Sequence, residues 1–285
     1  MSIENNKSIN NCSITKIKSK YILSKIFGNL QEKRSLEILR YNKRLSNKLN
    51  KNIKEYLKLI IEIIPEENKY GTFINIYHKE DEIYFHIYFN DGKEEINRTY
   101  ISEDDKVEKI KIIIDYKIKS LWGLFRLCKC IKKINFIKKR DNIKNMSHLF
   151  FLCSSLKEIN LSNFNTTNVE YMCYMFYGCN SLKELNLSYF NTNNLINIRS
   201  IFQNCSSLKK LNISNFLINR NVNAKNIFEN CFSLGELDLS HFLNENVEFL
   251  KELFNLRHTL KKIICSEEIR LQILFEFPSL SDRIL

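Results

Sequence analysis

Cysteine is the residue type whose number and spacing in this sequence first suggest chemistry. The chain has nine cysteines in 285 residues, and five of them recur at intervals of 25 or 26 residues. These five are Cys128, Cys153, Cys179, Cys205 and Cys231. Cysteines on a repeated frame could form a metal site, a redox device or a column of buried thiols.

The sequence around these cysteines favours the buried column. Cys128 and Cys130 form a C-x-C pair without a second pair at metal-ligand spacing. Equivalent residues on stacked strands lie roughly 5 Å apart, so distance alone permits disulfides. Side-chain direction and a polar N-terminus without an apolar signal segment predict free thiols instead, in a reducing compartment, the cytoplasm or nucleus. We therefore expect a structural cysteine ladder.

Catalytic and cofactor motifs do not stand out elsewhere. The sequence has no nucleophile elbow, zinc-protease helix, phosphate-binding loop or dinucleotide-binding turn. Cys130, flanked by Lys129 and Lys132, is the one candidate nucleophile, and His78 and His86 lack partners at ligand spacing. We predict no enzyme activity, no cofactor and no metal site.

Four of these cysteines belong to a sequence repeat that occurs four times, with small variations, between Leu149 and Phe242. Its versions are LFFLCSSLKEINLSNF, MFYGCNSLKELNLSYF, IFQNCSSLKKLNISNF and IFENCFSLGELDLSHF. A fixed period in the twenties indicates a solenoid, in which each unit buries its core against its neighbours. Leu156 and Leu161 should point inward from a strand, whereas Met172 and Cys179 lie on one apolar stripe of a helix of about three turns. The predicted fold is α/β, a solenoid of about five 26-residue strand-helix units.

The residue pattern of the repeat closely resembles that of the BspA-type leucine-rich repeats. The pattern is N-V/I-x-x-M-x-x-M-F-x-x-C-x-S-L-K-x-L-N-L-S-x-F-N-T, and the resemblance extends over residues 118–265. It implies a parallel sheet backed by helices, and it implies protein binding without naming the partner. Such repeats occur in bacterial surface proteins that attach to host or matrix proteins, and in expanded families of unicellular eukaryotes.

The outward-facing strand positions are the default partner-binding surface. They are Glu158, Asn160, Ser162, Glu184, Asn186, Ser188, Lys210, Asn212, Ser214, Glu236, Asp238 and Ser240. Small polar ladders without aromatic residues make weak hot spots, and they can instead satisfy one another and the turn that leaves each strand. The other two candidate surfaces are the basic first strand, residues 132–140, and the tyrosines 171, 174 and 177.

The sequences that flank the repeats are expected to cap the two ends of the solenoid. Residues 1–15 are polar and should be disordered, residues 16–64 have helical periodicity, residues 70–117 are rich in β patterns, and residues 266–285 should form a C-terminal cap. Ile53–Ile61 should form the last of three helices. Asn90–Gly92 should turn a hairpin whose return strand is Glu94–Ile101, and Ser102–Asp105 should begin a helix.

Part of the helical region resembles an F-box, the module that binds the Skp-type adaptor of cullin ubiquitin ligases. The likeness lies within Lys20–Leu49, and its contact residues would be Leu23, Ile26, Phe27, Leu30 and Leu36. It implies recruitment of that adaptor. The alternative is a helical cap that shields the end of the solenoid.

Charge and hydropathy limit the remaining function classes. The net charge of +12 is concentrated in residues 1–60, with 14 basic and 4 acidic residues, and is almost absent from residues 141–265. The longest apolar run, Leu57–Pro65, is too short to span a bilayer. We expect a monomeric intracellular scaffold for protein–protein interactions. The alternatives are a stand-alone repeat protein for binding or adhesion, and nucleic-acid binding through the basic N-terminus.

Overall fold

The computed structural model describes residues 58–285 except 116, 139–141, 245–248, 250, 254–255 and 257. Leu59–Leu285 form one compact unit. The predicted disordered N-terminus and the F-box-like segment lie outside the described residues, so both stay predictions.

A five-stranded sheet precedes and begins the repeats. Its strands are β1 (Leu59–Pro65), β3 (Phe85–Phe89), β5 (Ile110–Ile114), β6 (Ile131–Phe136) and β7 (Glu158–Asn160), in the order β3-β5-β1-β6-β7. β1 is antiparallel to both β5 and β6, and β6 is parallel to β7. The first two repeat strands are therefore continuous with the preceding β region.

The prediction that helical structure extends to residue 64 is wrong. Leu59–Pro65 is a strand in which Leu59, Ile61 and Ile63 are fully buried. A short run of isoleucines fits the apolar spacing of either a helix or a strand. The β-branched side chains favour the strand, and pairing on both edges fixes it.

The predicted hairpin forms its turn but not its return strand. Asn90 and Asp91 both have positive φ, 49° and 58°, and the Gly92 N–H donates to the Phe89 carbonyl at 2.8 Å. β3 pairs with β5, and the residues that follow the turn contribute only one backbone bond to β3, from the Ile96 N–H to the Ile87 carbonyl at 2.8 Å. The pair of short strands beside it is β2 (Gly71–Thr72) and β4 (Tyr100–Ile101).

The helix predicted to begin at Ser102 is absent, because Asp105 closes a tight turn there. Its carboxylate accepts hydrogen bonds from the Ser102 N–H at 2.6 Å and from the Ser102 hydroxyl at 2.7 Å, and it pairs with both terminal nitrogens of Arg98. The hydrogen bonds from Arg98 and Ser102 hold the pKa of Asp105 far below its ordinary value.

The later repeats build a second, parallel sheet. Its strands are β8 (Glu184–Asn186), β9 (Lys210–Asn212), β11 (Glu236–Leu239) and β13 (Lys262–Cys265), and a smaller parallel pair joins β10 (Leu217–Ile218) to β12 (Leu243–Asn244). Partner residues in register differ by 26, as Glu184 and Lys210 do. The solenoid of about five turns that the sequence predicts is thus present.

The helical half of each predicted unit is replaced by tight turns. Residues 142–244 contain no α-helix. The Cys179 N–H bonds the carbonyl of Phe176, three residues back, as in a helical turn, but the Phe176 N–H bonds the carbonyl of Ile201 in the next repeat. The Met172 N–H likewise reaches Asn197. Apolar spacing of three and four residues fits these turns as well as a helix, which is why the sequence pattern was ambiguous.

These bonds between repeats recur in the same place along the array. Four of them join each neighbouring pair among the first five repeats, with N···O distances of 2.7–3.2 Å. They extend a series of single parallel bridges through Ser120, Asn145, Tyr171, Asn197 and Asn223. The repeats are therefore hydrogen-bonded on the turn side as well as through the strands.

The turn segment requires two left-handed residues in every repeat, four positions apart. These pairs are Gly123 and Leu127, His148 and Leu152, Tyr174 and Gly178, Ser200 and Asn204, and Asn226 and Asn230. A right-handed helix does not contain such residues.

Phenylalanine rings fill the interior behind the turns. Phe125, Phe150, Phe176, Phe202 and Phe228 stack in one column, with centroid separations of 5.8, 5.4, 5.9 and 6.0 Å. All five are buried. The column shows that the core runs along the solenoid axis.

Asn75 and Glu252 lie at the two ends of the turn ladder. At the start, the Asn75 N–H donates to the Leu124 carbonyl at 2.7 Å, and the Asn75 amide reaches the Arg126 carbonyl at 2.8 Å. At the end, the buried Glu252 carboxylate accepts from the Asn226 N–H at 2.8 Å, where a backbone carbonyl stands in earlier repeats. Beyond β13, helix α1 (Glu267–Glu276) buries Ile269 and Ile273, within the region expected to be a cap.

Replacing Gly178 by alanine tests the left-handed turn. A Cβ on Gly178, whose φ is 68°, would lie 2.5 Å from the Leu152 Cδ2 atom. We expect Gly178→Ala to lower the free energy of unfolding by about 2 kcal/mol, measured by urea denaturation, because it adds backbone strain to a steric clash.

Gly235→Ala is the matched control for that substitution. A Cβ there would find no atom closer than 3.9 Å. It should change the stability by less than about 1 kcal/mol. Equal effects of the two substitutions would contradict this account of the turn.

Candidate functional site

The outward strand face is largely engaged in contacts within the chain. Glu158 pairs with Lys133 at 2.6 Å, and Lys210 lies 3.6 Å from Glu236 and 4.0 Å from Glu184. The hydrogen bond from Lys133 lowers the pKa of Glu158. The two lysines of this column therefore pair with glutamates of neighbouring repeats.

The Asn/Asp and Ser columns on the same face organise the turn that leaves each strand. The side-chain oxygen of Asn186 accepts from the Ser188 N–H at 3.0 Å, and Asn212 does the same for Ser214. The corresponding pairs Asn160–Ser162 and Asp238–Ser240 have distances of 3.1 and 3.0 Å. These short-range bonds fix the backbone direction and reduce the polar groups left for a partner.

The cysteine ladder consists of buried thiols that donate to backbone carbonyls one repeat earlier. The donor–acceptor pairs, with their distances, are Cys153 to Phe125 at 2.9 Å, Cys179 to Phe150 at 3.2 Å, Cys205 to Phe176 at 3.0 Å and Cys231 to Phe202 at 3.0 Å. Cys128 begins the column and is equally buried. The cysteines that the structure describes are all free thiols.

Burial also governs the chemistry of these thiols. It raises the pKa of Cys153, Cys179 and Cys205 well above the ordinary value, and it raises the pKa of Cys231 to about 12. A thiol must lose its proton to bind metal or attack an electrophile. In the described part of the chain, no group of three His, Cys, Asp or Glu residues is placed to hold a metal ion.

Cys130 lacks the surroundings of a nucleophile. Its side chain is buried, and its thiol donates to the Thr72 carbonyl at 3.3 Å. Burial raises its pKa to about 11. The neighbouring lysines therefore do not activate it.

An extended aromatic cluster, which the sequence analysis identified only in part, occupies the turn side of the first three repeats. It contains Tyr77, Trp122, His148, Phe151, Tyr174 and Tyr177, and we call it the aromatic surface. Trp122 is the only tryptophan in the chain and is 40% exposed, and Tyr77 is 46% exposed. Tyr171, the third tyrosine expected here, makes no ring contact with the cluster among the described residues, and it is exposed at a bridge position.

Contacts between rings make the aromatic surface continuous. Tyr77 lies 4.8 Å from Trp122, and Trp122 lies 5.7 Å from His148, measured between ring centroids. His148 stacks on Tyr174 at 5.0 Å. In the neighbouring row Phe151 stacks on Tyr177 at 4.7 Å.

The repeat frame explains how these rings meet. His148 and Tyr174 occupy the same left-handed position in successive repeats, and Phe151 and Tyr177 are likewise 26 residues apart. Stacked repeats bring equivalent side chains close together. Tyr77 reaches the cluster from the preceding β region, where its hydroxyl donates to the Gly123 carbonyl at 3.1 Å.

Arg126 supplies the positive charge of this surface. Its guanidinium carbon lies 5.3 Å from the centroid of the Phe151 ring. Burial and the charge of Arg126 lower the pKa of His148, whereas burial raises the pKa of Tyr77. Around neutral pH we therefore expect His148 and Tyr77 to be uncharged and Arg126 to be the cation.

Aligning the repeats could have revealed part of this cluster. The 26-residue frame superimposes His148 on Tyr174 and Phe151 on Tyr177. The contribution of Tyr77 could not be predicted in this way, because it depends on how residues 71–77 pack against the first repeat. The basic first strand, the other candidate surface, gives less support for partner binding. Lys133 is paired with Glu158, and residues 139–140 lie outside the described residues.

Comparisons with known proteins find one family that is similar to part of the repeat region, and they indicate no activity. Residues 120–242 are similar to a family described as Mycoplasma protein of unknown function, DUF285. This match lies within the segment that resembles the BspA-type repeats. No curated protein and no solved structure matches the chain significantly. No helix in the described part of the chain is long and apolar enough to cross a membrane.

Thiol labelling tests the assignment of the ladder. In the native protein at about pH 8, iodoacetamide should modify the half-buried Cys173 and leave Cys153, Cys179, Cys205 and Cys231 unmodified, because burial removes both access and thiolate. Mass spectrometry of the digested protein measures each site. Unfolding in urea should make the ladder cysteines reactive, and labelling of Cys179 as fast as Cys173 in the native protein would contradict the assignment.

Proposed function

We propose that this protein is an interaction scaffold whose repeats bind a protein partner through the aromatic surface. The observation that supports the proposal is the exposed, continuous cluster around Trp122. Tryptophan, tyrosine and arginine supply most hot spots of protein interfaces. Rings held in position by backbone hydrogen bonds lose little conformational freedom on binding.

The turn side supports binding better than the strand face. The predicted strand-face residues form ion pairs and turn hydrogen bonds with one another. A partner there would have to replace those contacts, which offsets much of the gain. In the described part of the chain the side chains of the aromatic surface contact one another mainly through their rings, with one hydrogen bond from the Tyr77 hydroxyl to the Gly123 carbonyl.

A substitution series tests this proposal. The partner is first identified by affinity purification of the full chain from its native cell with mass spectrometry, and then titrated in purified form. Trp122→Ala should weaken binding about 30-fold, because truncating a central hot spot costs about 2 kcal/mol.

Tyr189→Ala is the matched control, since Tyr189 is an exposed aromatic residue beyond the aromatic surface. It should leave the affinity unchanged. A partner that tolerates Trp122→Ala but loses affinity with Glu236→Ala would move the binding site to the strand face.

Recruitment of a Skp-type adaptor by Leu23, Ile26, Phe27, Leu30 and Leu36 is a separate prediction, and these residues lie outside the described part of the chain. If the F-box resemblance holds, the purified adaptor should bind the full chain, and Ile26→Glu with Phe27→Glu should abolish binding. The double variant Leu271→Glu with Phe275→Glu, on the exposed face of α1, is the control and should bind normally. If the adaptor does not bind the wild-type chain, the link to a ubiquitin ligase is contradicted and the alternative of a stand-alone repeat protein is favoured. The cytoplasmic or nuclear compartment also stays a prediction.

A further inference from the structure

Arg126 is the charged group of the aromatic surface, and among the described residues its charge has no acidic counterpart. In the described part of the chain no carboxylate lies within ion-pair distance of its guanidinium, and its Nε atom is buried without a hydrogen-bond partner. Guanidinium groups are weakly hydrated, stack on rings and bind carboxylates through two parallel hydrogen bonds. Arg126 thus has a positive charge that no carboxylate among the described residues neutralises.

The surrounding sequence has the same charge. From Lys117 to Lys157 the chain has eleven lysines and arginines, and its one acidic residue is Asp141. Residues 171–180, which complete the aromatic surface, have no charged side chain. Lys133, Lys144 and Lys157 are already paired with glutamates, but the remaining excess of positive charge in this part of the chain still disfavours a basic partner segment relative to an acidic one.

Ring orientation also favours an anion. His148 and Tyr174 stack with an angle of 24° between their planes, and Phe151 and Tyr177 with 12°. In each pair the rings cover one face of each other, and the Arg126 guanidinium lies over the Phe151 ring, so part of the face area is withdrawn from a partner. The edges of aromatic rings are electropositive, whereas the faces are electronegative.

From these three observations we infer that the aromatic surface recognises an acidic protein segment. A carboxylate of the segment pairs with Arg126, and a neighbouring apolar side chain packs against Trp122 and Phe151. This inference rests on the proposed protein-binding function and adds the chemistry of the partner. Single-stranded nucleic acid fits less well, because bases stack on free ring faces and one face of each ring in the two stacked pairs is already covered.

Trp122 provides a direct measurement, since it is the only tryptophan and lies in the site. The full chain is titrated with a short peptide of alternating Glu and Leu residues, and the tryptophan fluorescence is recorded. Two further peptides have Gln or Lys in place of each Glu. The Glu peptide should bind at least about tenfold more tightly than the Gln peptide, and added salt should weaken it.

Arg126→Gln should remove most of the preference for the Glu peptide. Lys209→Gln removes the same charge from an exposed site in a later repeat and is the matched control. Urea denaturation checks that both variants are folded, and the comparison of the three peptides on the wild-type chain does not depend on either variant.

Equal affinity for the Glu and Gln peptides, tighter binding of the Lys peptide, or no fluorescence change with any peptide would overturn the inference. Tighter binding of oligo-deoxythymidine than of the Glu peptide would also overturn it, in favour of nucleic acid. These outcomes are distinguishable from failure of the proposed function, which is measured separately by the effect of Trp122→Ala on the purified partner. If binding of the partner requires Trp122 but not Arg126, the proposed scaffold function is supported and recognition of an acidic segment is contradicted.

Discussion

The hydrogen bonds between successive turn segments are the interaction on which the rest of this structure depends. Alternate N–H groups, such as those of Met172 and Phe176, donate to the next repeat, while those between them close local turns. The N–H groups of the buried Met172, Met175, Phe176 and Cys179 thus find partners without a helix. The bonds fix the spacing between repeats, and that spacing sets the separation of the phenylalanine rings and the thiols behind them.

The same constraint forms the outer surface. Because equivalent residues lie one repeat apart, an aromatic side chain that recurs on the frame must contact its counterpart. His148 with Tyr174 and Phe151 with Tyr177 show this on the outside, as Phe150 with Phe176 does in the core. A binding surface on such a protein is therefore determined by which residues occupy two or three columns, and the backbone contributes its rigidity.

The period, the buried cysteine positions and the parallel strands could be predicted from the sequence, because each depends on spacing that every repeat confirms. The turn segment could not, because apolar residues three and four apart satisfy both a helix and a chain of tight turns. The residues with positive φ distinguish the tight turns from a helix. Glycine often indicates a positive φ in a sequence, but Leu152 and Tyr174 do not, so these turns could not be predicted. Similarly, Tyr77 belongs to the aromatic surface only through tertiary packing, which no local pattern encodes.

Glu252 has a consequence for how such a protein could change in evolution. Its carboxylate takes the place that one carbonyl of a further repeat would occupy, and residues 251–253 are helical where earlier repeats form tight turns, so the turn ladder ends in a changed segment. Asn75 does the equivalent at the other end. Duplication or loss of a whole internal unit would leave both ends intact. The number of repeats can therefore vary between related genes without redesign of either terminus, whereas the aromatic columns would have to be rebuilt residue by residue.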